Sequence, residues 1–103
     1  MRIHWTDNAI AHLVALYEYI SHVSPMYAKR MVDIITRRSE QIATFPRSGR
    51  SVPEYEADDI REIIENPYRI IYRIKPDRID VLAVIHCAQL LSIKIRDSDL
   101  FIS

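Results

Sequence analysis

The sequence predicts an α+β domain in which an antiparallel two-helix hairpin packs on a small antiparallel β-sheet, in the order β-α-α-β-β-β. Three observations predict it. Apolar residues recur at three- and four-residue spacing through the first half, and β-rich runs joined by short turn signals fill the second. The only glycine, Gly49, falls between the halves. At 103 residues the chain reads as a single domain, with residues 92–103 as a C-terminal tail or an extra strand.

The elements follow in order. Arg2-Ile3-His4-Trp5 alternates polar and apolar positions, as a short strand does. Thr6 or Asp7 offers an oxygen to cap the first free amides of a helix. Ile10, Leu13, Val14, Tyr17 and Ile20 then form the predicted apolar stripe of that helix. Ser24-Pro25 is a break, because proline is tolerated in a first helical turn and disfavours helix in the residue before it. The second stripe is Ala28, Met31, Val32, Ile35 and Ile42, with Arg30, Arg37, Arg38 and Glu40 turned elsewhere. So short a break implies a helical hairpin. Phe45-Pro46-Arg47-Ser48-Gly49-Arg50 stops the second helix, and residues 51–59 read as an acidic connection without periodicity.

Three β-runs come next, around Arg61-Glu62-Ile63-Ile64, Tyr68 to Ile74, and Ile79 to His86. Asn66-Pro67 and Lys75-Pro76-Asp77-Arg78 are turn signals, so adjacent antiparallel pairing is the economical topology. In the middle run Tyr68, Ile70, Tyr72 and Ile74 share one face, and Arg69, Ile71 and Arg73 the other. The last run is apolar on both faces, as a covered central strand would be. From Leu90 onward the pattern mixes Ile93, Ile95, Leu100, Phe101 and Ile102 with charges.

Fourteen basic residues balance fourteen acidic ones, so the net charge is zero and no bulk field steers the chain onto nucleic acid. Arginine supplies most of the cations, which favours planar pairings with carboxylates. The lone cysteine, Cys87, excludes an intrachain disulfide and fits a reducing compartment. Trp5, Asp7 and Asn8 interrupt the N-terminus where a signal peptide needs an apolar core, and no apolar run approaches the roughly 20 residues that span a bilayer. The expectation is a cytoplasmic protein that meets no membrane.

His4, His12, His22 and His86 lack metal-ligand spacing, so neither a metal nor any other cofactor is expected. His86 and Cys87 are neighbours in an extended run and point to opposite faces, which separates imidazole from thiol. One glycine cannot build a phosphate loop. The arginines are the serious candidates. Arg50, Arg61, Arg69 and Arg73 lie in the sheet half or its entry, either as solvated strand charges or as a receptor for carboxylates.

Pro46-x-x-Gly49-Arg50, Arg61-Glu62-Ile63-Ile64, Asn66-x-Tyr68-Arg69-Ile70-Ile71-Tyr72-Arg73 and Val84-Ile85-His86 together resemble the RelE/ParE superfamily, the toxins of type II toxin–antitoxin modules. The resemblance is to the ParE-type plasmid stabilisation branch and spans about residues 1 to 91. It implies one strand, two helices and an antiparallel meander. It also implies a ParD-like ribbon-helix-helix antitoxin that wraps the toxin and binds DNA, so that the toxin meets DNA only through it. Activity in the superfamily splits. RelE-type members cut mRNA in the ribosome, whereas ParE-type members bind and poison DNA gyrase.

On the ribonuclease pattern, the positions of the catalytic lysines fall on Ile60 and Glu62, a later arginine on Gln89, and a C-terminal tyrosine near Ile95; only Arg69 survives. Cleavage needs a base, an acid and cations on the phosphorane, so the resemblance implies a toxin that binds and is not an enzyme. His86 stands as a base without an evident acid. The implied target surface is Arg61, Arg69, Tyr72, Arg73, His86 and Gln89. The implied antitoxin contacts are Leu13, Tyr17, Arg50, Arg69, Arg73, Ile93, Ile95 and Phe101. Two alternatives stay open: a ribosome-dependent mRNA endonuclease, and a non-toxic relic that only binds its antitoxin.

Overall fold

The chain opens with strand β1 (Arg2–Trp5), after which Thr6 caps helix α1 (Asp7–Ser21). The Thr6 hydroxyl accepts from the Ala9 amide at 3.2 Å and donates to the Val81 carbonyl at 2.8 Å, so a single side chain starts the helix and ties it to the sheet. Ser24 caps helix α2 (Pro25–Thr44) in the same way, accepting from the Tyr27 amide at 3.1 Å with Pro25 in the first turn. A short 3-10 turn, Pro46–Ser48, leads into β2 (Arg50–Ser51), and β3 (Ile60–Glu65), β4 (Tyr68–Ile74) and β5 (Arg78–His86) complete the sheet. These elements come from a computed structural model that describes residues 1–89.

The sheet has five strands in the order β1-β5-β4-β3-β2. The predicted meander is there: β3, β4 and β5 pair antiparallel, with the two-residue turn Asn66-Pro67 between the first two. Two features refine the expectation. The first strand joins the sheet parallel to β5, from Arg2 opposite Arg78 to Trp5 opposite Val81, so the sheet is mixed. Turn signals report only on consecutive runs, and this contact joins the two ends of the domain. The second feature is β2, whose two residues add an antiparallel edge against Arg61 and Glu62.

Both helices cover one face of the sheet, and Ala9, Leu16, Met31, Ile35, Ile42, Ile70, Tyr72 and Val81 share the main core there. The predicted rotation of α1 needs correction. Its inward arc is Ala9, Leu13, Leu16 and Ile20, while Ile10, Val14 and Tyr17 are exposed. The helix is apolar on two arcs, so periodicity alone does not choose between them. Hydrogen bonds do: Asn8 Nδ2 donates to the Leu82 carbonyl at 3.0 Å, and His12 Nδ1 accepts from the Val84 amide at 3.2 Å.

The alternation read for β4 is present, with Ile70 and Tyr72 in the helix-side core and Ile71 in a second cluster. That cluster contains Val52, Ile60, Ile71, Leu82, Ala83 and Ile85, with Tyr55 and Ala57 packed on it. The acidic connection is therefore a strap that lays Val52, Tyr55 and Ala57 across the far face of the sheet. Between Ile71 and Tyr72 the register with β5 shifts, a bulge that lets Leu82 and Ala83 both serve this second face.

Candidate functional site

The far face of the sheet carries a chain of charged side chains. Arg50 on β2 lies opposite Glu62 on β3, and Arg69 on β4 lies diagonal to it, two pairs further along the ladder. Glu62 is withdrawn from solvent at 1% exposure. Its Oε2 accepts from Arg50 Nε at 2.6 Å, and its Oε1 from Arg69 Nε at 2.7 Å. The other end of Arg69 is held by the strap. Nη1 and Nη2 donate to the two oxygens of Glu54 at 2.8 Å each, a fork-to-fork pair. Nη1 also reaches the Gln89 carbonyl at 3.3 Å.

Arg69 is thus buried with carboxylates on both edges. Glu54's hydrogen bonds, against the opposing effect of burial and with help from Glu62, push its guanidinium further above its already high range. Two acidic side chains of the same chain neutralise this cation. Breaking a buried pair of this kind costs about 3–5 kcal/mol, because the remaining charge has no solvent to turn to.

The other arginines are engaged separately. Arg73 Nε donates to Asp59 Oδ2 at 2.9 Å, so it does not join Arg69 in one receptor. Arg61 donates to the Gly49 carbonyl at 2.9 Å and to the carbonyl and carboxylate of Asp58. Arg47 also holds Asp58, and Arg47 first, then Arg61, keep that exposed carboxyl below the usual carboxylate value.

Tyr72 is a correction. It was expected on a target surface, yet it is fully buried on the helix side, its hydroxyl donating to the Pro46 carbonyl at 2.6 Å and accepting from the Gly49 amide at 3.0 Å. Burial pushes its phenol above the ordinary value, against the Gly49 amide and Arg61. Arg69, likewise expected at the surface, is corrected by its burial under the strap. Of the remaining target-surface residues, Arg61 and Arg73 are half-buried, while His86 and Gln89 meet in the turn after β5. There the His86 amide donates to Gln89 Oε1 at 3.0 Å, and the His86 ring lies edge-on to Tyr68 with centroids 6.0 Å apart.

Of the expected antitoxin contacts, Leu13 packs on the core, Tyr17 is exposed, and Arg50 keeps 65% of its side chain in solvent. Ile93, Ile95 and Phe101 lie outside the described residues. Sequence reasoning missed the roles of Glu54, Asp58, Asp59 and Glu62 as partners of these arginines. The available signal was Glu62 itself, a carboxylate that alternates with Ile60 and Ile64 on one side of its strand, together with the acid-rich strap beside it. Among the described residues no group of three or more His, Cys, Asp or Glu side chains is placed to hold a metal ion, and no helix is long and apolar enough to cross a membrane.

Residues 3–91 match the family of the ParE toxin of the type II toxin–antitoxin system parDE. The chain belongs to the ParE toxin family. Toxin RelE2 of Caulobacter vibrioides is 30% identical over 87 residues, covering 84% of this chain and 94% of that protein. A relative from Sinorhizobium fredii is 34% identical over 90 residues, covering 85% of this chain and 90% of its own length. Among solved structures, a chain of the chromosomal ParDE system from P. aeruginosa is similar with a TM-score of 0.69 and 26% identity, over 84% of this chain and 95% of that one. The matched residues of this ParE-family chain take in both helices and the residues of the Arg50–Glu62–Arg69–Glu54 chain.

Proposed function

We propose that this ParE-family protein is the toxin of a type II toxin–antitoxin pair, that it acts by binding, with DNA gyrase as its target, and that a ParD-like ribbon-helix-helix antitoxin neutralises it in the cytoplasm. The observation that carries the binding reading is the occupancy of Arg69. Its donors meet Glu54, Glu62 and the Gln89 carbonyl, so a phosphodiester on the far face would face two carboxylates beside that one cation. General acid–base cleavage of RNA needs proton donors and cations placed around the phosphorane, and Glu62 adds the opposite charge.

For the antitoxin, the exposed stripe Ile10, Val14 and Tyr17 has the i, i+4, i+7 spacing that receives an amphipathic segment. Arg50, with one edge bound to Glu62 and most of its side chain in solvent, offers an acidic segment a charged anchor beyond that stripe. The test is a supercoiling assay with purified gyrase. Loss of supercoiling with accumulation of cleaved DNA supports the target; undisturbed supercoiling at stoichiometric excess of the protein rejects it.

A further inference from the structure

β2 pairs with β3 only opposite Arg61 and Glu62, so β3 runs on past the end of its neighbour. An antiparallel ladder alternates which residues bond across it. The Ile74 amide donates to the Asp59 carbonyl at 2.7 Å, so by that alternation Arg61, Ile63 and Glu65 bond to β4. The N–H and C=O of Ile64 therefore point outward, on the line of β2 and beyond its end. A cleft of about 290 Å³ lies at this place, lined by Arg38, Ser48, Gly49, Arg50, Ile63 and Ile64.

Two guanidinium groups flank the cleft from opposite faces of the sheet. Glu62 shares the far face with Ile60, and Glu65 shares the helix side with Ile63. Arg50 Nε donates to Glu62 at 2.6 Å. Arg38 of α2 donates through Nη1 to Gln41 at 3.1 Å, and its Nε lies 3.3 Å from Glu65 without the alignment of a hydrogen bond. Among the described residues the side chains of Arg38 and Arg50 make no further hydrogen bond or ion pair, so the Nη fork of Arg50 is uncommitted.

We propose that this sheet edge is a docking site for a short, extended, acidic segment of a partner protein, which prolongs β2 along Ile64 and sets one carboxylate on Arg50 and another on Arg38. The Ile64 backbone supplies main-chain bonds, and the two arginines read alternate side chains. Neighbouring side chains of a strand point to opposite faces, so the two acids are an odd number of residues apart. A nucleic acid fits less well. Glu62 and Glu65 stand beside the same two guanidiniums and repel a continuous polyanion, while Ile63 and Ile64 give the cleft an apolar wall. Arg50 is shared with the antitoxin reading above, but the site is tested without an antitoxin, so either can fail alone.

NMR titration of the full chain with two synthetic hexapeptides tests this. Acetyl-Thr-Glu-Val-Thr-Glu-Thr-amide carries its acids at odd spacing, and acetyl-Thr-Glu-Val-Glu-Thr-Thr-amide has the same composition at even spacing. Expected are shifts centred on Ile63 to Glu65, slower exchange of the Ile64 amide, and an affinity roughly tenfold higher for the first peptide. Arg50→Gln and Arg38→Gln should each weaken that peptide about tenfold. Arg38→Gln leaves Glu62 paired, so its result stands even where Arg50→Gln disturbs the fold. Equal affinity for the two peptides overturns the proposal, as does an absence of shifts at this edge. A hexathymidylate that produces the same shifts at lower concentration assigns the cleft to nucleic acid and overturns it as well.

Discussion

Arg69 and Glu62 stand diagonally on neighbouring strands, and the guanidinium Nε meets the carboxylate Oε1 at 2.7 Å with both side chains withdrawn from solvent. Arg69 is held first by Glu54 and then by Glu62, and Glu62 in turn by Arg69 and Arg50. Arg50 takes the second oxygen of Glu62, and Glu54 takes the far edge of Arg69, so the group is a four-residue chain with alternating charge. The consequence is mechanical as well as electrostatic: Glu54 belongs to the strap, and its pair with Arg69 fastens that strap across the sheet.

Glu62→Gln removes the central charge and leaves Arg69 buried with Glu54 alone. Because Glu54 still pairs with the guanidinium, the expected loss in urea unfolding is about 1–3 kcal/mol. Replacing Glu62 and Arg69 together by methionine should cost less than the two single replacements summed, because neither charge is then stranded. Additive losses would show that the two residues are not coupled.

Tyr72→Phe strands the Pro46 carbonyl and the Gly49 amide, with an expected cost of about 1–3 kcal/mol. The native phenol titrates above its ordinary value of 10.0, so its contribution is present below that pH and is lost as pH rises through the higher native value. Tyr68 is shifted in the same direction by burial, so the substitution should remove part of the alkaline loss and not all of it. Urea midpoints at pH 8 and pH 11 for both proteins give the comparison. An unchanged alkaline loss in Tyr72→Phe would contradict the assignment.

Gly49→Ala should destabilise although its φ is −73°, a value open to any residue. The reason is space. An added Cβ would come within 2.7 Å of the Glu62 carbonyl and closer still to the Tyr72 hydroxyl. Backbone cannot step aside as a flexible side chain can, so a cost of about 1–3 kcal/mol is expected in thermal or urea unfolding.

Much of this fold is legible in the sequence, because helices, caps and hairpin turns are local. Ser24-Pro25 marks the start of α2, and the meander follows from Asn66-Pro67 and Pro76-Asp77. The parallel pairing of β1 with β5 is not local, nor is the rotation of α1, which Asn8 and His12 set through bonds to β5. The candidate site was half legible. Arg50, Arg61, Arg69 and Arg73 stand out as residues, but which carboxylate each would meet depends on where the strap lies. The resemblance implies a target-surface role for Tyr72, and its burial is not legible because its hydrogen-bond partners, Pro46 and Gly49, are distant along the chain.

Val14→Asp and Tyr17→Ala fall on the exposed arc of α1, away from the core. Their unfolding free energies should change by less than about 0.5 kcal/mol. Affinity for the antitoxin, measured by calorimetry, should drop roughly tenfold or more, about 1.4 kcal/mol. Unchanged affinity in both variants would move the antitoxin to another surface.

The central claim is that the arginine-bearing sheet binds and does not cut. Primer extension on translated messages after induction of the toxin tests it most directly. The messages should remain uncut, with the same pattern in the wild-type protein and in Arg69→Ala. Cuts at codon positions in the wild type would contradict the claim.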